Sequence, residues 1–254
     1  MIGISSPVFS LFSFEEMFTS IADRDVKLWE IVAEGKHAIP LIREIFPVLS
    51  ETHDIEFQIH APLSDINIAS VNPRIRELSI YQIEEVLAFA NAHNIRIVTI
   101  HPGHLSPLGV LEREVVAELN RNAIEKISAL SEEYGVSVAL ENMPPFWSTL
   151  CYSADEIISL IEGTKLGICF DVGHAHLCRT ISSFLSHKDK IINVHIHDND
   201  GKKDKHMVLG KGTVDFRAVI SGLKGYQGNW IVEGRGLDDC MESLTYLKDT
   251  PLKD

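Results

Sequence analysis

The stretch LGICFD, residues 166–171, runs through a block of mostly apolar residues and stops on an acid. An apolar run this short suits a strand buried on both faces, as in a parallel sheet, and nothing in such packing asks for a carboxylate at its last position. The same shape recurs along the chain: EFQIH ends at His60, IRIVTIH at His101, VSVALE at Glu141, IINVH at His195 and NWIVE at Glu233. A single polar strand end is ordinarily a hydrogen-bonded structural residue, because an unsatisfied polar group is costly to bury. Six strand ends of metal-ligand type point to chemistry instead, and His174, Asp204 and His206 follow close behind them.

Two further apolar runs, IGIS and VKLWEIV, bring the strands to eight. Amphipathic stretches alternate with them at 14–22, 38–49, 73–93, 112–134, 153–162, 180–187, 215–223 and 237–248. Parallel strands need crossover helices, and eight strand–helix units close on themselves, so the expected fold is α/β, a single (β/α)8 TIM barrel over residues 1–254. An open doubly wound sheet is the competing architecture. It lacks the glycine-rich GxGxxG after the first strand and does not bring six strand ends to one place. Local signals agree with the barrel: Gly135 follows Tyr134 as a left-handed helix cap, Ser153 and Glu156 form a capping box, and Asn72-Pro73 opens a helix. The polar stretch DNDGKKDKH, 198–206, reads as the loop after the seventh strand and carries Asp204 and His206.

The charge balance narrows the partners. With 23 Lys and Arg against 36 Asp and Glu, the formal charge is −13. That repels a polyanion at long range unless basic residues cluster at the binding face or bound cations cancel part of it. The cysteines, Cys151, Cys169, Cys178 and Cys240, show no CxxC spacing, which suits a reducing cytoplasm. The opening MIGISSPVFSLFSFEEMF has no basic leading region and meets Glu15 and Glu16 early, so it reads as a first strand and helix rather than an export signal. No apolar run approaches the roughly 18 residues of a membrane span, so a soluble, non-membrane protein is expected.

At the mouth of such a barrel, where the loops after the strands build active sites, five histidines and four carboxylates would meet. A mixed nitrogen and oxygen set suits Zn2+, with Mn2+ or Fe2+ also accommodated. A catalytic zinc takes about three protein ligands plus water, so nine ligands imply two or three ions.

The motifs also carry a resemblance. His60 stands in HAPLSDINIAS, His101 in HPG, Glu141 in LEN, Asp171 and His174 in CFDVGHAH, His195 in HIHD, Asp204 and His206 in DKHMVLGKG, and Glu233 in VEGR. In this order, from about residue 56 to 234, the chain resembles the endonuclease IV family within the wider group of xylose-isomerase-like barrels. The resemblance implies three zinc ions: one on His60, His101 and Glu141; a second on Glu141, Asp171, His195 and Glu233; a third on His174, Asp204 and His206. It implies hydrolysis of a phosphoester, with abasic DNA among the substrates, and with Glu141 bridging two ions and Glu233 assisting proton transfer. The quartet Glu141, Asp171, His195 and Glu233 is shared equally with sugar and sugar phosphate isomerases and epimerases, which need one divalent ion and use Glu141 and Glu233 as acid and base. That alternative stays open, as does a noncatalytic metal-dependent binding barrel.

The departures from endonuclease IV lie outside the metals. The loop after the second strand is only AEGKHAIP, and Leu63-Ser64-Asp65 makes the turn after HAP one residue longer, with no aromatic at its tip. A small phosphorylated or sugar-like substrate needs no DNA-bending loops. Trp147, Arg179, His197, Lys211 and Arg235 are the candidate substrate contacts, each weighed against a plainer role as surface charge, ion-pair partner, core wall or support for a metal ligand. His37, His53, His93 and His187 read as surface residues, Trp29 and Trp230 as core, and His104 and His176 as undecided.

Overall fold

The computed structural model describes residues 1–249. Eight strands form a closed parallel barrel in chain order: β1 (Ile2–Ser5), β2 (Leu28–Val32), β3 (Glu56–His60), β4 (Ile97–Ile100), β5 (Ser137–Glu141), β6 (Gly167–Asp171), β7 (Ile191–Ile196) and β8 (Asn229–Glu233). Closure comes from β1 pairing with β8, in the register Ile2 with Trp230 through Ser5 with Glu233. The expected (β/α)8 barrel is therefore what forms.

Alternation along each strand sends one set of side chains outward and the other onto the barrel axis. On β2, Trp29 packs outward against Phe14, its ring stacked at 5.1 Å, while Glu30 lies on the opposite face of the strand. Phe46 meets the edges of Phe57 and Phe89 in the same outer layer, between the strands and the surrounding helices. Trp29 and Trp230 are core residues, as expected.

The helices broadly follow the sequence pattern. The long ones span Pro73–Ala92 and Arg113–Tyr134; the first is capped by Asn72, and the second ends on Gly135 at φ 66°. Ser153 and Glu156 form the capping box of the helix Ala154–Ile161. Two differences stand out. The single helix expected over 38–49 is two short ones, Ile39–Ile42 and Phe46–Ser50, each with a proline in its first two positions, where a missing N–H costs nothing. A helix not anticipated, Val172–Cys178, follows β6 directly, with Asp171 accepting from the His174 N–H as its cap at 2.6 Å. No helix among the described residues is long and apolar enough to cross a membrane.

Candidate metal centre

The strand-end residues meet at one end of the barrel. Asp171 and His195 are register partners on β6 and β7, and Glu141 ends β5 one strand away. Glu141 lies at the centre: its Oε2 is 3.2 Å from His60 Nε2 and 3.5 Å from both His101 Nε2 and His195 Nδ1, and its Oε1 is 3.5 Å from His174 Nδ1. Glu233 Oε1 is 3.0 Å from His195 Nδ1, and its Oε2 is 3.4 Å from His206 Nδ1. Asp204 Oδ2 lies 3.2 Å from His174 Nε2 and 3.3 Å from His206 Nε2. All nine residues expected as ligands thus fall in one contiguous centre.

Neighbouring groups fix which nitrogen each imidazole offers. His60 Nδ1 lies 2.7 Å from the Ala61 carbonyl and His174 Nδ1 lies 2.8 Å from the Asn142 carbonyl, so each ring donates there and turns Nε2, the nitrogen a metal would take, to the centre. His195 is reversed. Its Nε2 faces Glu30 Oε1 at 3.1 Å, and its Nδ1 faces Glu141 and Glu233.

The loop that brings Asp204 and His206 to the centre is shaped by Asp198. Its Oδ2 accepts from the Gly210 and Gly212 N–H groups at 3.0 and 2.9 Å, and its Oδ1 from those of Asn199 and Val214 at 2.9 and 3.1 Å. His206 itself holds a left-handed φ of 43°. Asn142, the Asn of LEN, staples β5 to β6 by accepting from the Asp171 N–H at 2.8 Å and donating to its carbonyl at 2.9 Å.

Sequence reasoning missed Glu30. It is fully buried on the barrel axis, and its Oε2 gathers Gln58 Nε2 at 2.6 Å, Thr99 Oγ1 at 3.3 Å, Asn193 Nδ2 at 3.4 Å and His195 Nε2 at 3.2 Å. Gln58 Oε1 in turn accepts from Asn229 Nδ2 at 3.0 Å, so a polar chain descends from the centre through the barrel. The available signal was an acid in the middle of the otherwise apolar LWEIV.

The electrostatics match cation binding. Burial would lift the Glu141 carboxyl, yet His195, His101 and His60 outweigh it and hold it well below the usual carboxylate range. Burial likewise works to lower the His60 and His174 pKa values, but the carboxylates beside them win and raise them to about 9 and about 10. Among the buried atoms with no hydrogen-bond partner, five belong to this centre: His195 Nδ1, Asp171 Oδ2, Asp204 Oδ1 and both nitrogens of His197. Buried polar atoms are seldom left so, and divalent cations would satisfy them. Four groups have donor atoms within 4.8 Å of one another: His60, His101 and Glu141; Glu141, Asp171, His195 and Glu233; His174, His197, Asp204 and His206; and Glu141, Cys169 and His195. The residues present fit a multinuclear metal centre.

A family profile described as Xylose isomerase-like TIM barrel matches residues 14–250. The chain belongs to this family. Among xylose isomerase-like barrels and their relatives, an uncharacterized protein of Methanocaldococcus jannaschii is 33% identical, over 97% of this chain and 88% of its own length. "Probable endonuclease 4" of Aquifex aeolicus is 28% identical, over 76% of this chain and 70% of its own length. Among solved structures, a D-tagatose 3-epimerase-like protein superimposes with a TM-score of 0.88 at 30% identity, covering 98% of this chain and 96% of its own.

The candidate substrate contacts scatter. Lys211 pairs with Glu242 at 3.0 Å on the exposed rim, and Arg235 Nε donates to the Lys205 carbonyl at 2.6 Å, bracing the metal loop. Arg179 caps the helix Val172–Cys178 in a left-handed conformation and lines a separate cleft with His176, Asp200 and Lys202. Trp147 is 67% exposed on the loop after β5. His197 alone is drawn into the centre. A cavity of about 250 Å³ opens beside His101, lined by Leu63, Ile66, His104, Met143, Thr149 and Leu150 among others, with no Lys or Arg. His104 thus borders the centre, whereas His176 bonds Thr213 Oγ1 at 2.8 Å outside it. Of the histidines expected at the surface, His53 is exposed and His93 and His187 are half-buried, but His37 is buried between the edges of Phe14 and Trp29.

Proposed function

We propose that this chain is a hydrolase that cleaves a small phosphoester at a centre of two or three divalent ions, Zn2+ before Mn2+ or Fe2+. The observation that carries the reading is the third group of donors. An isomerase of this fold needs the Glu141, Asp171, His195 and Glu233 quartet alone, whereas here His174, Asp204 and His206 converge beside it and meet it through Glu233. When bound, the ions stabilise negative charge building on phosphoryl oxygens and acidify water. The chain's own residues do the rest. Glu141 is shared by the His60–His101 pair and the quartet, holding them at one spacing. Glu233 is the most exposed of the quartet's three carboxylates, at 8%, and is placed to take up or return a proton at the leaving-group oxygen.

A small substrate is favoured over abasic DNA by the short loop after β2, the formal charge of −13 and the absence of Lys or Arg from the cavity beside His101. The test is turnover of a panel of small phosphomonoesters and phosphodiesters, with an abasic oligonucleotide beside them, by untagged metal-loaded protein.

One observation favours a second reading, a sugar or sugar phosphate epimerase. Glu141 and Glu233 both face His195 Nδ1, as a two-base proton transfer would need, and the D-tagatose 3-epimerase-like structure is 30% identical. Solvent deuterium appearing in a ketose, with no phosphoester in the panel cleaved, would replace the hydrolase by the epimerase.

A further inference from the structure

We infer that the cavity beside His101 receives the organic part of the substrate, so that the phosphoester cleaved is one of a small, uncharged, largely apolar alcohol. The inference rests on the hydrolase reading above and narrows its substrate class. The cavity adjoins the metal centre directly, because His101 is at once part of its wall and a candidate ligand of the first ion. At about 250 Å³ it is smaller than the roughly 300–1,000 Å³ of sites that enclose drug-sized ligands, so it suits one short chain or one ring.

The walls set the chemistry. Leu63, Ile66, Met143 and Leu150 present apolar side chains, and no lining residue is Lys or Arg. His104 is the wall's second imidazole, and burial holds its pKa below the ordinary value, so it brings no fixed charge. A second anionic group on the substrate would be stripped of water with no cation to meet it, in a chain whose formal charge is −13. An alkyl or aryl group in the same place gains by leaving water.

The space is built before any ligand arrives. Asn67, on the loop after β3, accepts from the His104 N–H at 3.0 Å and donates to the His104 carbonyl at 2.9 Å. The Leu105 N–H donates to the Ser148 carbonyl at 2.7 Å, and the loop after β5 is closed at its base by the Met143 N–H on the Cys151 carbonyl at 3.1 Å. Three loops are thus laced together around the cavity. Behind them Ala69, Leu105 and Val116 form a small apolar cluster of their own, against which Leu150 packs. Leu63 belongs to neither apolar cluster, and its N–H is fixed by Glu34 Oε2 at 3.0 Å, which makes it the position to alter.

Binding is read apart from turnover. Methyl-, ethyl- and propylphosphonate, which have no ester bond to cleave, are titrated by calorimetry into untagged Zn2+-loaded protein. Carboxyethylphosphonate, which is propylphosphonate with its last carbon made a carboxylate, is titrated beside them. The matching alkyl phosphates, whose leaving alcohols are nearly equal in acidity, are assayed for released phosphate. Affinity should rise about 4-fold per added carbon. Propylphosphonate should bind more than about 100-fold tighter than carboxyethylphosphonate, and Leu63→Lys should narrow that ratio by about 10-fold or more. Flat affinities along the series, a wild-type preference for carboxyethylphosphonate, or a ratio that folded Leu63→Lys leaves unchanged would overturn the inference; cleavage of the alkyl phosphates would then leave the hydrolase reading standing. No ester cleaved would overturn that reading and the inference with it. Should Leu63→Lys fail to fold, the wild-type series decides.

Discussion

Two buried polar regions sit one above the other in this barrel and keep opposite accounts. On the axis, Glu30, Gln58, Thr99, Asn193 and Asn229 bond chiefly to one another. At the mouth above, His195 Nδ1, Asp171 Oδ2, Asp204 Oδ1 and His197 face inward with no partner of their own. Both regions are removed from water, so burial does not distinguish them. The axis leaves over two atoms, Glu30 Oε1 and Asn193 Oδ1, against five gathered at the mouth, so buried polarity marks a ligand site where leftover atoms of ligand type collect in one place.

The largest expected effect tests the mouth. Glu141→Gln should leave the fold intact by circular dichroism, yet cut turnover by about 10³-fold, since stabilisation by metals is worth several kcal/mol in the transition state. Normal turnover with full metal loading would remove Glu141 from the mechanism.

Next comes the axis. Burial alone would lift the Glu30 carboxyl, but His195 outweighs it and holds it below the usual carboxylate range. Glu30→Leu strands His195 and the Gln58 amide, and should destabilise metal-free protein by about 3–5 kcal/mol in chemical denaturation, the usual cost of removing one partner of a buried pair. Glu30→Gln should retain more stability but weaken metal binding about 10–100-fold, because the acceptor that orients His195 loses its charge. If the leucine variant is as stable as wild type, the Glu30 network does not hold the fold together.

His37 sharpens the contrast from a third place. It is as buried as the imidazoles of the mouth but has no acid beside it, and burial pushes its pKa down to about 4. The unfolded chain takes up this proton near pH 6.5, before the folded chain does. Stability present above that pH is therefore lost as pH falls toward 4, by at most about 3 kcal/mol. Denaturation midpoints across that window should fall for wild type relative to His37→Phe as pH falls. Parallel curves would mean that His37 binds its proton equally in both states.

The smallest effect belongs to the rim. Lys211→Ala removes an exposed ion pair, and should change stability by under about 0.5 kcal/mol and turnover not at all. A raised KM would return Lys211 to the substrate site.

The sequence made the mouth legible because most ligands stand at or beside the end of an apolar strand, and Asp204 and His206 stand in a loop that has no apolar pattern to hide them. The same attention to strand ends hid Glu30, whose position only makes sense once eight strands have closed and the axis exists. The helix Val172–Cys178 was obscured because its first turn, VGH, is written in site residues rather than in an amphipathic pattern. The stretch 38–49 carried a helical spacing, but Pro40 and Pro47 each start a new short helix and divide it. Lys211 and Arg235 look alike in sequence as basic residues near the mouth. Only their partners, Glu242 and the Lys205 carbonyl, distinguish an exposed pair from a brace.

Gly173 touches no candidate metal, yet the space where its side chain would stand is filled by His197. The two positions are therefore not free to drift separately. A lineage that enlarges residue 173 must first give up the imidazole at 197, and one that shrinks residue 197 releases 173 from being glycine. Across the descendants of this barrel, the pair should carry a record of which came first.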